Sequence, residues 1–189
     1  SRWKILDNLR RSLVTPAQIL LLLLAWSILL QPRFWTTVVV GAVLASPVLA
    51  CIRVLLNKLA ELPLDQHLHY AGRAIVRYLA QAGLSLTLLP YEAFFSLDAV
   101  VRTGGRMLFT HKRLLEWNSS SSSMSRGRSD LAGFYQSMWI APAVTIAMAF
   151  YLAFWRPDVL HIVWPLLVSW SLAPAVAWWI SLPLDIPKA

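Results

Sequence analysis

Long uncharged runs alternate with short polar breaks along this chain, and the breaks carry proline. Thr15-Pro16 opens the first run, with Thr as N-cap and Pro at a first helical position, where no N–H is needed. That run reaches about Leu30 and is stopped by Pro32. A second covers 34–56, with Pro47 as a kink. A third covers 138–155, and a fourth covers 159–182 with Pro165 and Pro174 inside it. The breaks at Pro32 and at Arg156-Pro157-Asp158 are tight, so the four runs pair into two helical hairpins. Runs of this length and apolarity predict membrane spans.

The pattern changes between the hairpins. From Asp65, Leu68, Ala71, Ile75 and Leu79 fall on one helical face, with Gln66, Arg73 and Arg77 on the other. Further on, Phe94, Leu97, Val101, Leu108 and Leu115 recur at near-heptad spacing, with Arg102, Arg106 and Arg113 on another face. Both read as amphipathic helices lying on a leaflet, the second weakened at Gly104-Gly105. Between them "LSLTLLPYEAFF" (84–95) is apolar enough for a fifth span. Glu92 and Asp98 argue against that, because a carboxylate in lipid costs about 2.5–3.5 kcal/mol. The expectation is an interfacial or re-entrant segment. "NSSSSSMSRGRSD" (118–130) is a linker by composition, after which Ser129 or Asp130 caps a new helix.

The expected fold is therefore all-α and polytopic: four transmembrane helices in two hairpins, plus cytoplasmic-side interfacial amphipathic helices. The divisions are a basic interfacial stub at 1–15, a first hairpin at 16–56, interfacial helices at 57–117, a Ser-rich linker at 118–130, a second hairpin at 131–182 and a cytoplasmic tail at 183–189.

Composition supports this class. Of 189 residues 58% are hydrophobic and 14% charged, against about 25% charged in a soluble domain. The net charge of +8 does not indicate nucleic acid, because the cations sit in blocks beside apolar runs, where anionic lipid headgroups are the nearer partner. Fifteen of the 17 Lys and Arg residues lie in the stub, the middle region and the tail; the two tight turns hold only Arg33 and Arg156. The positive-inside rule then predicts that both ends and the middle are cytoplasmic. Trp35, Trp155 and Trp164 would form the outer aromatic belt, and Trp139, Trp178 and Trp179 the inner one. A cleaved signal peptide does not fit: no small-residue cleavage site follows the first run, and another apolar run begins at once. The start at Ser1, without Met, reads as a piece of a longer protein. The single Cys51 reads as a packed apolar thiol.

Candidate chemistry is sparse. The chain has no Asp-x-Asp, P-loop, Gly-x-Gly-x-x-Gly or Gly-x-Ser-x-Gly element. His67 and His69 point nearly 200° apart on a helix, so they do not form a metal pair. Glu92 and Asp98 share no face and make a poor acid/base pair; pairing with Arg102 or Arg106 suits them better. No catalytic, cofactor or metal residue is assigned. Arg2-Trp3 has two readings: the end of a Gln-x-x-Arg-Trp acceptor-binding motif of processive sugar polymerases, or a lipid anchor. Arg10, Arg11, Arg73, Arg77, Arg102, Arg106, Lys112 and Arg113 are the expected headgroup contacts.

At "SRWKILDNLRRSLVTPA", "LPYEAFFSLDAVVRT", "KRLLEWNS", "DLAGFYQSMW" and "AWWISLPL" the chain resembles the cyclic β-1,2-glucan synthases, very large bacterial inner-membrane enzymes. Variants of the stretch Ser1 to Leu13 and of Leu114-Leu115-Glu116-Trp117 recur in that family, whereas the Ser119 to Ser123 run departs from it. The resemblance implies a cytoplasmic glycosyltransferase domain before this segment, using UDP-glucose and a divalent cation (Mg or Mn). It implies a glycoside-phosphorylase-like domain after it. It also implies β-1,2-glucan as product and the bacterial inner membrane as location. The chain itself would anchor and orient the catalytic domains. A glucan-translocating channel module and a non-catalytic scaffold are the alternatives.

Overall fold

The computed structural model describes residues 2–56, 64–106 and 130–182. Among them the chain is all-α: α1 (Arg2–Ser27), α2 (Pro32–Leu56), α3 (Leu64–Gly105), α4 (Leu131–Ser137), α5 (Ile140–Trp155) and α6 (Pro157–Ser181). It is an all-α polytopic membrane protein. Four helical stretches are long and apolar enough to cross a bilayer: Asp7–Ser27, Pro32–Leu56, Asp65–Gly105 and Pro157–Ser181.

These four are not the four read from the apolar runs. The stretch expected to lie on the membrane surface is part of α3, a single helix of 42 residues, roughly 63 Å long. Pro90 lies inside α3 without ending it. Of the carboxylates that argued against a span, Asp98 is held by Arg102 Nε one turn on at 2.7 Å; neutralising it along its own helix lowers its cost. Gly104-Gly105 falls at the end of α3 rather than at a break within a helix. Conversely, the expected third span, 138–155, corresponds to α5, whose 16 residues do not qualify as a span alone. α4 and α5 meet at 70° and pass as one span only when joined, giving up to five.

The first helix also differs. Thr15 caps nothing, because α1 runs unbroken from the stub into the apolar run, with Pro16 inside it. The stub is helical for a local reason: Asp7 accepts from Arg10 Nη2 at 3.1 Å and from Arg11 Nε at 3.0 Å, the spacings that stabilise a helix. α1 ends at Ser27, before the expected Leu30, and Pro32 starts α2, two residues earlier than expected. Likewise α6 begins at Pro157, not Val159, and continues through Pro165 and Pro174. The Asp130 cap is as expected: its side chain accepts from the Gly133 N–H at 3.2 Å. Ser129 lies outside the described residues.

α3 is the element the hairpins pack against. Its buried seam is His67, Ala71, Ala74, Ala82, Leu89 and Ala93, close to a seven-residue repeat. Small residues let helix backbones approach closely where lipid offers no hydrophobic drive. The face expected on α3 is thus rotated: Ala71 is buried, whereas Leu68 and Leu79 face outward. The core joins Ile19, Leu22 and Trp26 of α1, Val39 of α2, Leu89 and Ala93 of α3, Leu152 of α5, and Val159, Val163 and Trp170 of α6.

Candidate functional site

Proline inside a helix leaves the carbonyl four residues earlier without its helical donor, and one such carbonyl anchors the polar contacts at the centre of the bundle. Pro90 has no N–H, so Leu86 four residues earlier loses its helical partner. Trp170 Nε1 donates to the Leu86 carbonyl instead, at 3.0 Å. The fully buried Trp170 ring also meets Trp26, centroids 5.3 Å apart and planes tilted by 32°. Trp26 Nε1 in turn donates to Thr36 Oγ1 at 2.9 Å, and Thr36 Oγ1 donates to the Pro32 carbonyl at 2.7 Å. One chain of contacts therefore links α2, α1, α6 and α3.

A second set closes the turn end of the bundle. The last carbonyls of α1 have no intrahelical donor. Arg156, between α5 and α6, donates from Nη1 to the Leu29 carbonyl at 3.0 Å and to the Trp26 carbonyl at 3.4 Å. Tyr151 Oη donates to the Ser27 carbonyl at 3.3 Å. A guanidinium also suits the negative end of the α1 dipole. These bonds put the two tight turns side by side, at the same end of the molecule. At the other end Tyr135 Oη donates to the Ser171 carbonyl at 3.2 Å, seating α4 on α6.

The cations singled out in the sequence do not gather into one site. Trp3 is 79% exposed. Arg10 and Arg11 are exposed and shared by Asp7. Arg73 and Arg77 are exposed near the start of α3, with Arg77 5.6 Å from the Tyr78 ring centre. Arg102, paired with Asp98, and the half-buried Arg106 lie at its far end. The stretch from Arg73 to Arg102 is helical throughout, so the two pairs stand roughly 44 Å apart on one rod. The side chain of Arg2 lies outside the described residues, as do Lys112 and Arg113.

Among the described residues no three His, Cys, Asp or Glu side chains come together as a metal site. The resemblance places its divalent cation in a neighbouring domain, outside this chain. Glu92 is half-buried on α3, and His67 is buried on the α3 seam; His67 Nε2 has no hydrogen-bond partner. Neither has a second catalytic group described beside it.

The residues that organise the interior were not singled out in the sequence. Pro90 does signal a freed carbonyl at Leu86, but nothing local points to Trp170, 84 residues away. Arg156 reads as a turn cation until the structure places Leu29 beside it.

A helical bundle with apolar spans, proline-freed carbonyls and no described metal cluster defines the class, a polytopic all-α membrane protein. No family model matches the chain. It is similar to the cyclic beta-(1,2)-glucan synthase NdvB of Rhizobium meliloti (strain 1021), with 28% identity over 183 residues. The match covers 95% of this chain and 6% of that protein's length. The chain therefore spans a small part of the length of the synthase it is similar to.

Proposed function

We propose that this chain is the membrane segment of a cyclic β-1,2-glucan synthase, orienting catalytic domains of the same polypeptide at the bacterial inner membrane. The observation that carries the reading is the 28% identity sustained over 95% of the chain to one glucan synthase. The transferase domain, with UDP-glucose and Mg or Mn, precedes this segment in the proposed protein, and the phosphorylase-like domain follows it. Both ends are cytoplasmic. Two features support that placement: the turns carry only Arg33 and Arg156 of 17 cations, and both turns share one end of the bundle.

α1 gives the proposal a mechanism. It is one helix from Arg2 to Ser27, stiffened across the stub by the Asp7 ion pairs. A domain joined ahead of it is held at a fixed angle and height, rather than tethered by a loose chain. Arg10 and Arg11, exposed on the same helix, meet anionic headgroups at about 1 kcal/mol each. Trp3 and Arg2 then lie where the nascent β-1,2-glucan leaves the transferase.

The test is to insert Gly-Gly-Ser after Ser12 in the full-length enzyme. Glycine in a helix interior costs about 1 kcal/mol per residue and breaks rigid transmission. Membrane insertion should persist, while incorporation of glucose from UDP-glucose falls at least tenfold. Unchanged incorporation would end the orienting role. Arg2→Ala with Trp3→Ala, assayed in the same way, separates contact with glucan from anchoring alone.

A further inference from the structure

The side-by-side turns enclose a notch of about 460 Å³ lined by Leu30, Gln31, Pro32, Arg33, Phe34, Asp158 and Ile162. We propose that it holds the phosphoethanolamine headgroup of a membrane lipid. Arg33 and Asp158 face the same space with opposite charges, yet among the described residues neither has an ion-pair partner. An anionic headgroup would satisfy Arg33 and be repelled by Asp158; a cation would do the reverse. A zwitterion carrying phosphate and ammonium a few bonds apart satisfies both.

The residue types sharpen the choice. The Arg33 guanidinium presents a planar fork suited to two phosphate oxygens. The Asp158 carboxylate accepts hydrogen bonds from a primary ammonium, and choline has no N–H to give it. Gln31 adds an amide that donates to, or accepts from, the ester oxygens.

The source is a lipid because the rest of the wall is apolar and two of its side chains, Leu30 and Phe34, face outward. Leu30 is 95% exposed and Phe34 54% exposed, a poor surface against water and a good one against acyl chains. The notch also sits at the ends of the spans, beside the exposed Trp155, where headgroups lie.

The chain, purified in detergent, is offered equal amounts of diacyl phosphatidylethanolamine, phosphatidylcholine and phosphatidylglycerol, and retained lipid is counted by native mass spectrometry. Phosphatidylethanolamine should be retained about fivefold over either competitor, the ratio set by roughly one interfacial charge contact. Asp158→Asn should move the preference to phosphatidylglycerol, and Arg33→Gln should abolish it. Arg33→Asp combined with Asp158→Arg should keep phosphatidylethanolamine, because the zwitterion can reverse. No preference in the unaltered chain, or a preference unmoved in both single variants, overturns the site. Displacement of the diacyl lipid by an equal concentration of soluble phosphoethanolamine overturns the lipid source.

Discussion

Trp170 performs two tasks that can be separated by substitution. Its ring fills the core against Trp26, and its Nε1 supplies the donor that Pro90 withholds from the Leu86 carbonyl. Trp170→Phe keeps most of the ring and removes the donor, and should cost about 1 kcal/mol of stability. In a Pro90→Ala background the position 90 amide can serve Leu86 itself, so the same substitution should cost less than half as much. A double-mutant cycle by thermal unfolding in detergent measures this, and strict additivity would show that the bond does not substitute for the missing amide. Arg156 invites a simpler test. Arg156→Met keeps a similar stem and removes the guanidinium from the Leu29 carbonyl of the turn at 3.0 Å and the Trp26 carbonyl of α1 at 3.4 Å. The expected loss is about 1.5–3 kcal/mol, the range for hydrogen bonds to charged groups, read as a lower unfolding midpoint. The stub ion pairs, by contrast, are exposed on both sides and should each contribute no more than about 0.5 kcal/mol.

At the scale of elements, helix positions were largely legible and helix boundaries were not. The apolar runs marked α1, α2, α5 and α6 because uncharged stretches this long have few other uses. The Asp130 cap was legible because its hydrogen bond to Gly133 is local. Proline was over-read as a boundary: Pro16 lies within α1 and Pro90 within α3. In water an internal proline costs about 3 kcal/mol. In a bundle, the freed carbonyl is re-satisfied by a neighbouring helix, as Trp170 does for Leu86. The carboxylates of α3 weigh less against a span than their number suggests, since Asp98 carries its own cation one turn away. The continuity of α3 is directly measurable. Amide hydrogens of 84–95, other than those lacking a helical acceptor, should exchange in detergent as slowly as those of 71–82. Fast exchange confined to 84–95 would divide the rod into two surface helices.

For the whole molecule, the tally of cations and the fold agree on the hairpins and part company at α3. The hairpins share a turn end, poor in Lys and Arg, with Arg156 bonded to the first turn. The middle region is rich in cations, as is the stub; the positive-inside rule expects such segments on one side. Yet α3 is roughly twice as long as a bilayer core is thick, and it qualifies as a span by length and composition. Cysteine labelling in intact spheroplasts, with Cys51 replaced by Ala and one cysteine placed at Ser121, decides between them. The proposed cytoplasmic placement expects no labelling by a membrane-impermeant maleimide until the membrane is opened. Labelling from outside would make α3 a crossing helix.

By itself the sequence determined the all-α membrane class and the family likeness. Each of these rests on local composition or on a linear string of residues, so no partner in space was needed to read it. Only the tertiary structure decided which face of α3 is buried, that Arg156 closes the end of α1, that Trp170 replaces a missing amide, and that Arg33 and Asp158 share one notch. Those outcomes depend on residues far apart in the chain, up to 130 positions for Arg156 and Trp26, brought together by packing. No periodicity along a single helix records who its neighbours are.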